Sequence, residues 1–383
     1  MYPYLSGKEA LIQKNMKILG ILVVIVLLIA LTTVIILNQA KFGQLPKGER
    51  LERIKKSPNY RDGEFKNLSE TPTITAEKSR FQVMMDFMFR KKVRLSPKQD
   101  LPVVKTNIKA LNSEEDVLLW FGHSSYFFRL NGKSFLVDPV FSDYASPFSF
   151  INKVFKGTNA FHAEDFPDID YLIITHDHWD HLDYKTIINL KPKIKKVICS
   201  LGVGQHFEYW NFDPTDITEL DWYEGTELTK DWQLTATPAR HFSGRGMKGN
   251  QTFWASFVLQ TPHYKLFLGG DGGYDKHFAE IGNKFGPFDL AILEQGQYDE
   301  NWNLIHMMPN QVFKVAAELQ TNQILPVHHS KFALANHPWD EPLNKIVENH
   351  TDSTISVLTP QIGELVLLKG STQTFGKWWK GID

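Results

Sequence analysis

Thr175-His176-Asp177-His178-Trp179-Asp180-His181-Leu182-Asp183 sets four residues able to ligate a metal, His176, His178, Asp180 and His181, within six consecutive positions. So dense a mixture of imidazole and carboxylate seldom arises for packing alone. The run just before it, Tyr171-Leu172-Ile173-Ile174-Thr175, is apolar and β-rich, so the cluster begins where a buried strand is expected to end. In an extended segment side chains two apart point the same way, which lets His176 and His178 grip one ion while Asp180 and His181 turn toward a second. Neutral imidazole with carboxylate suits zinc, with manganese or iron as alternatives, whereas calcium and magnesium favour oxygen alone.

A catalytic metal pair needs about seven protein ligands and open positions for water and substrate. Three later residues fit: His241 after the run 234–240, Asp271 after 265–270, and His328 after 324–327. Each is the first strongly coordinating residue beyond a strand-like run, so all can converge on one sheet edge. Asp138 and His123 also end strand-like segments and are candidates to orient ligands by hydrogen bonds, with a purely structural turn role as the alternative. Thr175 and Asp183 flank the cluster, Asp183 equally suited to cap a helix over 184–190.

At this point the chain resembles the metallo-β-lactamase superfamily, whose H-x-H-x-D-H pattern followed by His, Asp and His it supplies in order. Five further segments resemble the branch that contains the N-acylphosphatidylethanolamine-hydrolysing phospholipases D. They are Trp120-Phe121-Gly122-His123-Ser124, Phe135-Leu136-Val137-Asp138-Pro139-Val140-Phe141-Ser142, Pro238-Ala239-Arg240-His241, Phe285-Gly286-Pro287-Phe288-Asp289-Leu290 and Phe332-Ala333-Leu334-Ala335-Asn336. The resemblance implies an αββα sandwich with two zinc ions at one edge. By it, His176, His178 and His241 hold one ion, Asp180, His181 and His328 the other, and Asp271 bridges them and serves catalysis. His329 competes with His328 for the last position. His306 matches a family histidine facing the substrate phosphate or the leaving group, although Ile305 stands where the family has a polar residue; read without the family, His306 before Pro309 is a helix-entry residue. Two cations sharing a water lower its pKa toward about 7, which suits phosphodiester hydrolysis and equally lactone or thioester hydrolysis.

The second strong signal is the run 18–37, almost entirely Ile, Leu and Val without charge, which as a helix spans roughly 30 Å and matches a bilayer core. It is read as an uncleaved transmembrane anchor behind a short tail at 1–17, with a cleaved signal peptide as the rival. Lys8, Lys14 and Lys17 precede the span, but Lys41, Lys47, Arg50, Arg53, Lys55 and Lys56 follow it, so charge does not choose the side of the membrane. Residues 38–79 read as a polar linker and 80–383 as the hydrolase domain. The run 81–89, dense in Met and Phe, is either ordinary core or a lip facing membrane or acyl chain.

With 383 residues and a net charge of −1, the chain fits one catalytic domain on an anchor and lacks the broad basic surface of a nucleic-acid binder. The lone Cys199 excludes an intramolecular disulfide and sits in a strand-like run as a small apolar residue. The expected activity is a membrane-anchored zinc phosphodiesterase acting on N-acylphosphatidylethanolamine or a related phospholipid; a homodimer is compatible with it. Two alternatives stand: a hydrolase of a soluble ester such as a phosphorylated lactone, and a non-catalytic metal-binding membrane protein.

Overall fold

A computed structural model describes residues 7–76, 78–90, 92–351, 354–369 and 373–382. The chain divides into two compact units, 1–42 and 43–383. In the first, helix α1 (Gly7–Leu37) leads into a 3-10 turn, Ala40–Phe42. Its Glu9–Leu37 portion, 29 residues, is long and apolar enough to cross a membrane. Helix begins well before residue 18, so most of the expected tail is helical. Glu9, Ala10, Leu11, Gln13, Lys14 and Met16 are strong helix formers with no proline among them to stop propagation. Residues 1–6 of that tail lie outside the described residues.

The second unit opens with α2 (Gly48–Lys56), a small hairpin of β1 (Tyr60–Arg61) and β2 (Glu64–Phe65), and α3 (Arg80–Phe89). Next come β3 (Val117–Trp120), β4 (Tyr126–Leu130), β5 (Lys133–Val137) and β6 (Ile169–Ile174), then α4 (Tyr184–Leu190), β7 (Ile194–Ser200), α5 (Gly204–Tyr209) and β8 (Ile217–Leu220). The rest comprises β9 (Gly225–Thr229), β10 (Trp232–Thr237), β11 (Ser256–Gln260), β12 (Lys265–Leu268), α6 (His277–Phe285), β13 (Leu290–Glu294), α7 (Val312–Glu318), β14 (Gln323–Val327), α8 (Glu341–Asn349), β15 (Ser356–Val357) and β16 (Leu365–Leu367). Two seven-stranded sheets result, ordered β16-β3-β4-β5-β6-β7-β8 and β15-β14-β13-β12-β11-β10-β9. In each, strands linked by short turns pair antiparallel, as β10 and β11 do across the longer loop that carries His241, and strands joined by a crossover pair parallel.

Period-2 alternation explains why the sheets stack and carry helices outside. On β13, Leu290 and Ile292 enter the large core between the sheets, while Ala291 and Leu293 join a second cluster with Phe278 and Ile281 of α6 and Val312 and Val315 of α7. β12 does the same, with Leu266 and Leu268 inward and Phe267 outward. Strands apolar on both faces require cover on both, which is the physical basis of the expected αββα sandwich.

The segment expected as a linker is instead a folded part of the domain from Gly43 onward. Ile54 of α2 and Phe65 are fully buried in the inter-sheet core, and Phe65 stacks on Phe253 at 4.4 Å. Arg50 pairs with Glu208 at 2.8 Å and Glu219 at 2.6 Å. Arg53 likewise pairs with Glu224 at 2.6 Å, while Lys55–Glu52 and Lys66–Glu64 pair within the segment, so its composition matches that of a linker while its geometry does not.

Candidate metal centre

The centre is assembled from strand ends. Asp138 follows β5, the 175–183 stretch follows β6, and His241, Asp271 and His328 follow β10, β12 and β14; His123 sits in the turn between β3 and β4. His123, Asp138 and His328 all hold left-handed backbone, with φ of 53°, 41° and 69°. Such conformations cost about 1 kcal/mol or more for non-glycine residues and persist where surroundings enforce them. The enforcement is visible: the His123 amide donates to the His329 carbonyl at 2.8 Å and the His328 amide to the His123 carbonyl at 2.9 Å, tying the ends of the two sheets together. Gly296 underlies the same turn, and a Cβ there would lie 2.1 Å from the His328 carbonyl oxygen. Gly296→Ala is therefore expected to shift His328, lowering thermal stability and metal retention together, as read by calorimetry and metal analysis.

Three ring nitrogens meet on one side. His176 Nε2 and His241 Nε2 lie 2.9 and 3.2 Å from His178 Nδ1. His123, Asp180, His181 and His328 gather on the other, with His123 Nε2 2.8 Å and His181 Nε2 3.4 Å from Asp180 Oδ2. Asp271 stands between: Oδ2 is 3.1 Å from His181 Nε2, 3.8 Å from His241 Nε2 and 4.0 Å from His176 Nε2, while Oδ1 is 3.2 Å from His328 Nδ1. All the expected ligand residues thus come together. His329 turns away, its ring against Trp120 and its Nδ1 2.7 Å from Ser330 Oγ.

The donor chemistry fits cations. His241 Nδ1 faces the Ile305 carbonyl at 2.9 Å and His181 Nδ1 faces the Asp138 carboxylate at 2.8 Å, so in each neutral ring the proton sits on Nδ1 and Nε2 is a bare lone pair. Both lone pairs then point at the Asp271 carboxylate, acceptor against acceptor, an arrangement that only a positive charge makes favourable. His181 Nε2, Asp271 Oδ1 and His328 Nε2 are buried without hydrogen bonds. Donor separations near 3 Å match the edge of a tetrahedron with zinc–nitrogen bonds of about 2.0–2.1 Å. Burial, reinforced by neighbouring imidazoles, holds His176 well below the ordinary imidazole pKa, and burial does the same for His241 and His328. His181 goes the other way: against burial, Asp271, Asp180 and Asp138 raise it well above that value. Three carboxylates around one ring call for positive charge, which a metal cation supplies as well as a proton.

Around these groups lies an orienting layer. Asp138 also accepts from the Thr175 amide (2.9 Å) and hydroxyl (2.6 Å), so Thr175 and Asp138 act as one unit. Asp183 caps α4 through the Lys185 amide and also accepts from the Ser142 amide at 3.0 Å. Several members were not read from the sequence. Asp177 is buried and accepts from the Gly244 amide (2.7 Å) and Thr252 (2.8 Å), with His206 at 3.1 Å; Arg245 donates to the Asp177 and Leu182 carbonyls and lies over Trp179. Gln297 binds the His328 and Phe332 carbonyls and the Leu334 and Ala335 amides, which explains the Phe332–Asn336 string as a loop wrapped around one amide side chain. Glu294 accepts from the Met307 amide and lies 2.9 Å from His306 Nδ1. It ends β13 as the metal-side residues end theirs, so the strand-end rule applied to residues 290–294 would have found it. His306 itself precedes α7 in a turn, and its ring centroid is 5.1 Å from that of His241 and 5.2 Å from that of His328.

The cluster floors a cavity of about 740 Å³. His178, Asp180, His241, Asp271, His306 and His328 form one side; Ile74, Val83, Met84, Phe87, Phe242 and Leu334 give it an apolar wall.

Comparison with known proteins agrees with this geometry. Residues 133–329 match the family described as beta-lactamase superfamily domain. An uncharacterized protein of Mycobacterium tuberculosis is 32% identical over 85% of this chain and 88% of its own length. The N-acyl-phosphatidylethanolamine-hydrolyzing phospholipase D 1 of Caenorhabditis elegans is 30% identical over 65% of this chain and 74% of its own. A metallo hydrolase from Ignicoccus hospitalis shares the fold with a TM-score of 0.50 at 18% identity, over 67% of this chain and 99% of that one. With a buried histidine and aspartate cluster at the sheet edge and these relatives, the chain belongs to the metallo-β-lactamase superfamily, in the branch that contains the N-acylphosphatidylethanolamine-hydrolysing phospholipases D, and is a metal-dependent hydrolase.

Proposed function

We propose that the chain is a membrane-anchored dinuclear zinc phosphodiesterase of phospholipase D type, converting N-acylphosphatidylethanolamine or a related phospholipid to phosphatidic acid and the N-acylated amino alcohol. The observation that carries this reading is the pairing, in one cavity, of a cation-demanding floor with an apolar wall. A substrate with a phosphodiester and acyl chains uses both; a small soluble ester uses only the floor.

In this reading His176, His178 and His241 would hold one ion and Asp180, His181 and His328 the other, with Asp271 standing between the two sets. Bound there, the pair would lower the pKa of a shared water toward about 7 and offset charge on the phosphoryl oxygens. Asp138 fixes the His181 ring through Nδ1 and His123 fixes Asp180, so the donors are held in place before any ligand arrives. His306, gripped by Glu294 at Nδ1, is left with its Nε2 edge to deliver a proton to the departing alkoxide. The wall of Val83, Met84, Phe87 and Leu334 excludes water from the acyl side. The α1 helix is the membrane anchor.

The test is to assay the purified full-length chain on vesicles containing N-acylphosphatidylethanolamine. Stoichiometric phosphatidic acid and N-acylethanolamine with about two zinc per chain is the expected result. Turnover of soluble phosphorylated lactones with none of phospholipid would replace this reading by the soluble-ester one. Chelation gives a second check: ions held at about a thousandfold over their dissociation constant contribute about 4 kcal/mol, so stripping them should lower the melting temperature by on the order of 10 °C. Re-addition of zinc should restore it.

A further inference from the structure

We infer that the rim of this cavity is a bilayer-docking surface, where α3 and two loops enter the boundary between headgroups and acyl chains. The inference builds on the lipid reading above but is tested apart from it. α3 carries apolar residues on both faces. Val83 and Phe87, at i and i+4, face the cavity, with Phe87 against Trp302 at 5.9 Å. Phe81 and Met88, at i and i+7, form a second face that is about half or more exposed, Met84 borders both faces, and Phe89 is 74% exposed. Between Phe81 and Phe89 only Gln82 and Asp86 interrupt the apolar surface, and so wide an apolar surface normally lies against something. Here the inner face has the cavity beneath it, and a further cavity of about 770 Å³ adjoins the helix on its Met85 and Phe89 side. Among the described side chains of the helix, only Val83 is buried.

Two loops from distant parts of the chain do the same. Ala145 and Asn152 line the cavity and are bonded to each other at 3.0 Å, closing a loop whose tip presents Phe148, Phe150 (73% exposed) and Ile151. The Phe148 and Phe150 rings stack with centroids 5.7 Å apart. Gly244 and Gly249 also line the cavity, and between them Met247 is 83% exposed. Three segments separated in sequence therefore project large apolar side chains around one opening, a pattern that marks an interaction surface.

Charge indicates the occupant. Arg90, Lys92, Lys153, Lys156 and Lys248 are exposed in or beside the three segments. Among the described residues, the exposed acids there are Asp86, paired with Lys78 at 2.6 Å, Asp143, bonded to Asn159 at 2.9 Å, and Glu300, which lines the 770 Å³ cavity beside α3. Apolar tips within a basic surround suit an anionic lipid surface. A second copy of the chain seated on this rim would cap the opening and shut out substrate, whereas a bilayer supplies it through the same opening. Enzyme docked this way draws lipid directly into the apolar wall of Val83, Met84 and Phe87.

The single cysteine, Cys199, is buried, so cysteines introduced at the rim can be labelled selectively. Phe89→Cys, Phe150→Cys and Met247→Cys, each carrying an environment-sensitive fluorophore, would be reconstituted as the full-length holoenzyme into vesicles of neutral and anionic lipid. Lys230→Cys, in the turn at the end of β10 opposite the site, is the control. Spin-labelled lipid should quench the three rim labels and spare the control. Rim labels that remain in water, quenching of all four alike, or rim labels that leave water only as chain concentration rises in lipid-free detergent would each overturn the proposal, the last in favour of a second copy. In parallel, the triple variant Phe89→Ser, Phe150→Ser, Met247→Ser should lose about tenfold or more in rate on vesicles while keeping its rate on a soluble phosphodiester. Equal loss on both would count against docking. The quenching arm reads docking even if the phospholipid proves not to be the substrate.

Discussion

Asp271→Asn is expected to lower turnover by roughly a thousandfold or more while leaving a folded chain, since loss of a shared charged ligand removes several kcal/mol of charge stabilisation and each 1.36 kcal/mol is about tenfold in rate. Both Asp271 oxygens face ring nitrogens, Oδ2 toward His181, His241 and His176 and Oδ1 toward His328. Asparagine keeps one oxygen but turns the other position into a donor and deletes the negative charge. Against burial, the surrounding imidazoles hold the Asp271 carboxyl well below the usual carboxylate range, so it is the anionic form that the site is built around. Metal analysis should fall from about two ions per chain toward one. A variant that keeps both ions and full turnover would remove Asp271 from the centre.

His306→Ala should cost about 10²- to 10³-fold in kcat with KM little changed and both ions retained, the pattern of a lost proton donor rather than a lost binding contact. Glu294→Gln should reproduce part of that loss, about 10- to 100-fold. Both carboxylate oxygens of Glu294 act as acceptors, one from the Met307 amide and one facing His306 Nδ1. A glutamine that satisfies Met307 with its oxygen presents N–H to His306, forcing the other tautomer and deleting the charge that favours the imidazolium. Burial raises the Glu294 carboxyl, and against its own burial His306 is raised by the Glu294 carboxyl beside it, the direction that favours a proton on the pair. Full kcat in His306→Ala would exclude this role.

Much of the centre could be read from the chain because a metal site imposes residue types that nothing else requires. Buried imidazole and carboxylate at the ends of apolar strands have few uses, so His241, Asp271 and His328 stand out despite being far apart in sequence. Glu294, Gln297, Asp177 and Arg245 escaped because their partners are backbone carbonyls, amides or single side chains supplied by folding, and a lone polar residue carries no such signature. Residues 43–79 were misread for a related reason. A polar layer pinned to a core by Ile54 and Phe65 has the composition of a linker, and what distinguishes them is where Arg50 finds Glu208 and Glu219.

The sequence by itself determined the strand periodicity, the span-length apolar run of α1 and the donor set of the centre, since these follow from local spacing and from chemistry that each residue carries alone. Only the tertiary structure decided that His328 rather than His329 joins the cluster, that Glu294 stands behind His306, and that α3 shares a cavity mouth with the loops of Phe150 and Met247. These depend on backbone twist at strand ends and on contacts between segments a hundred or more residues apart in places, quantities that a linear chain leaves open until its two sheets close on each other.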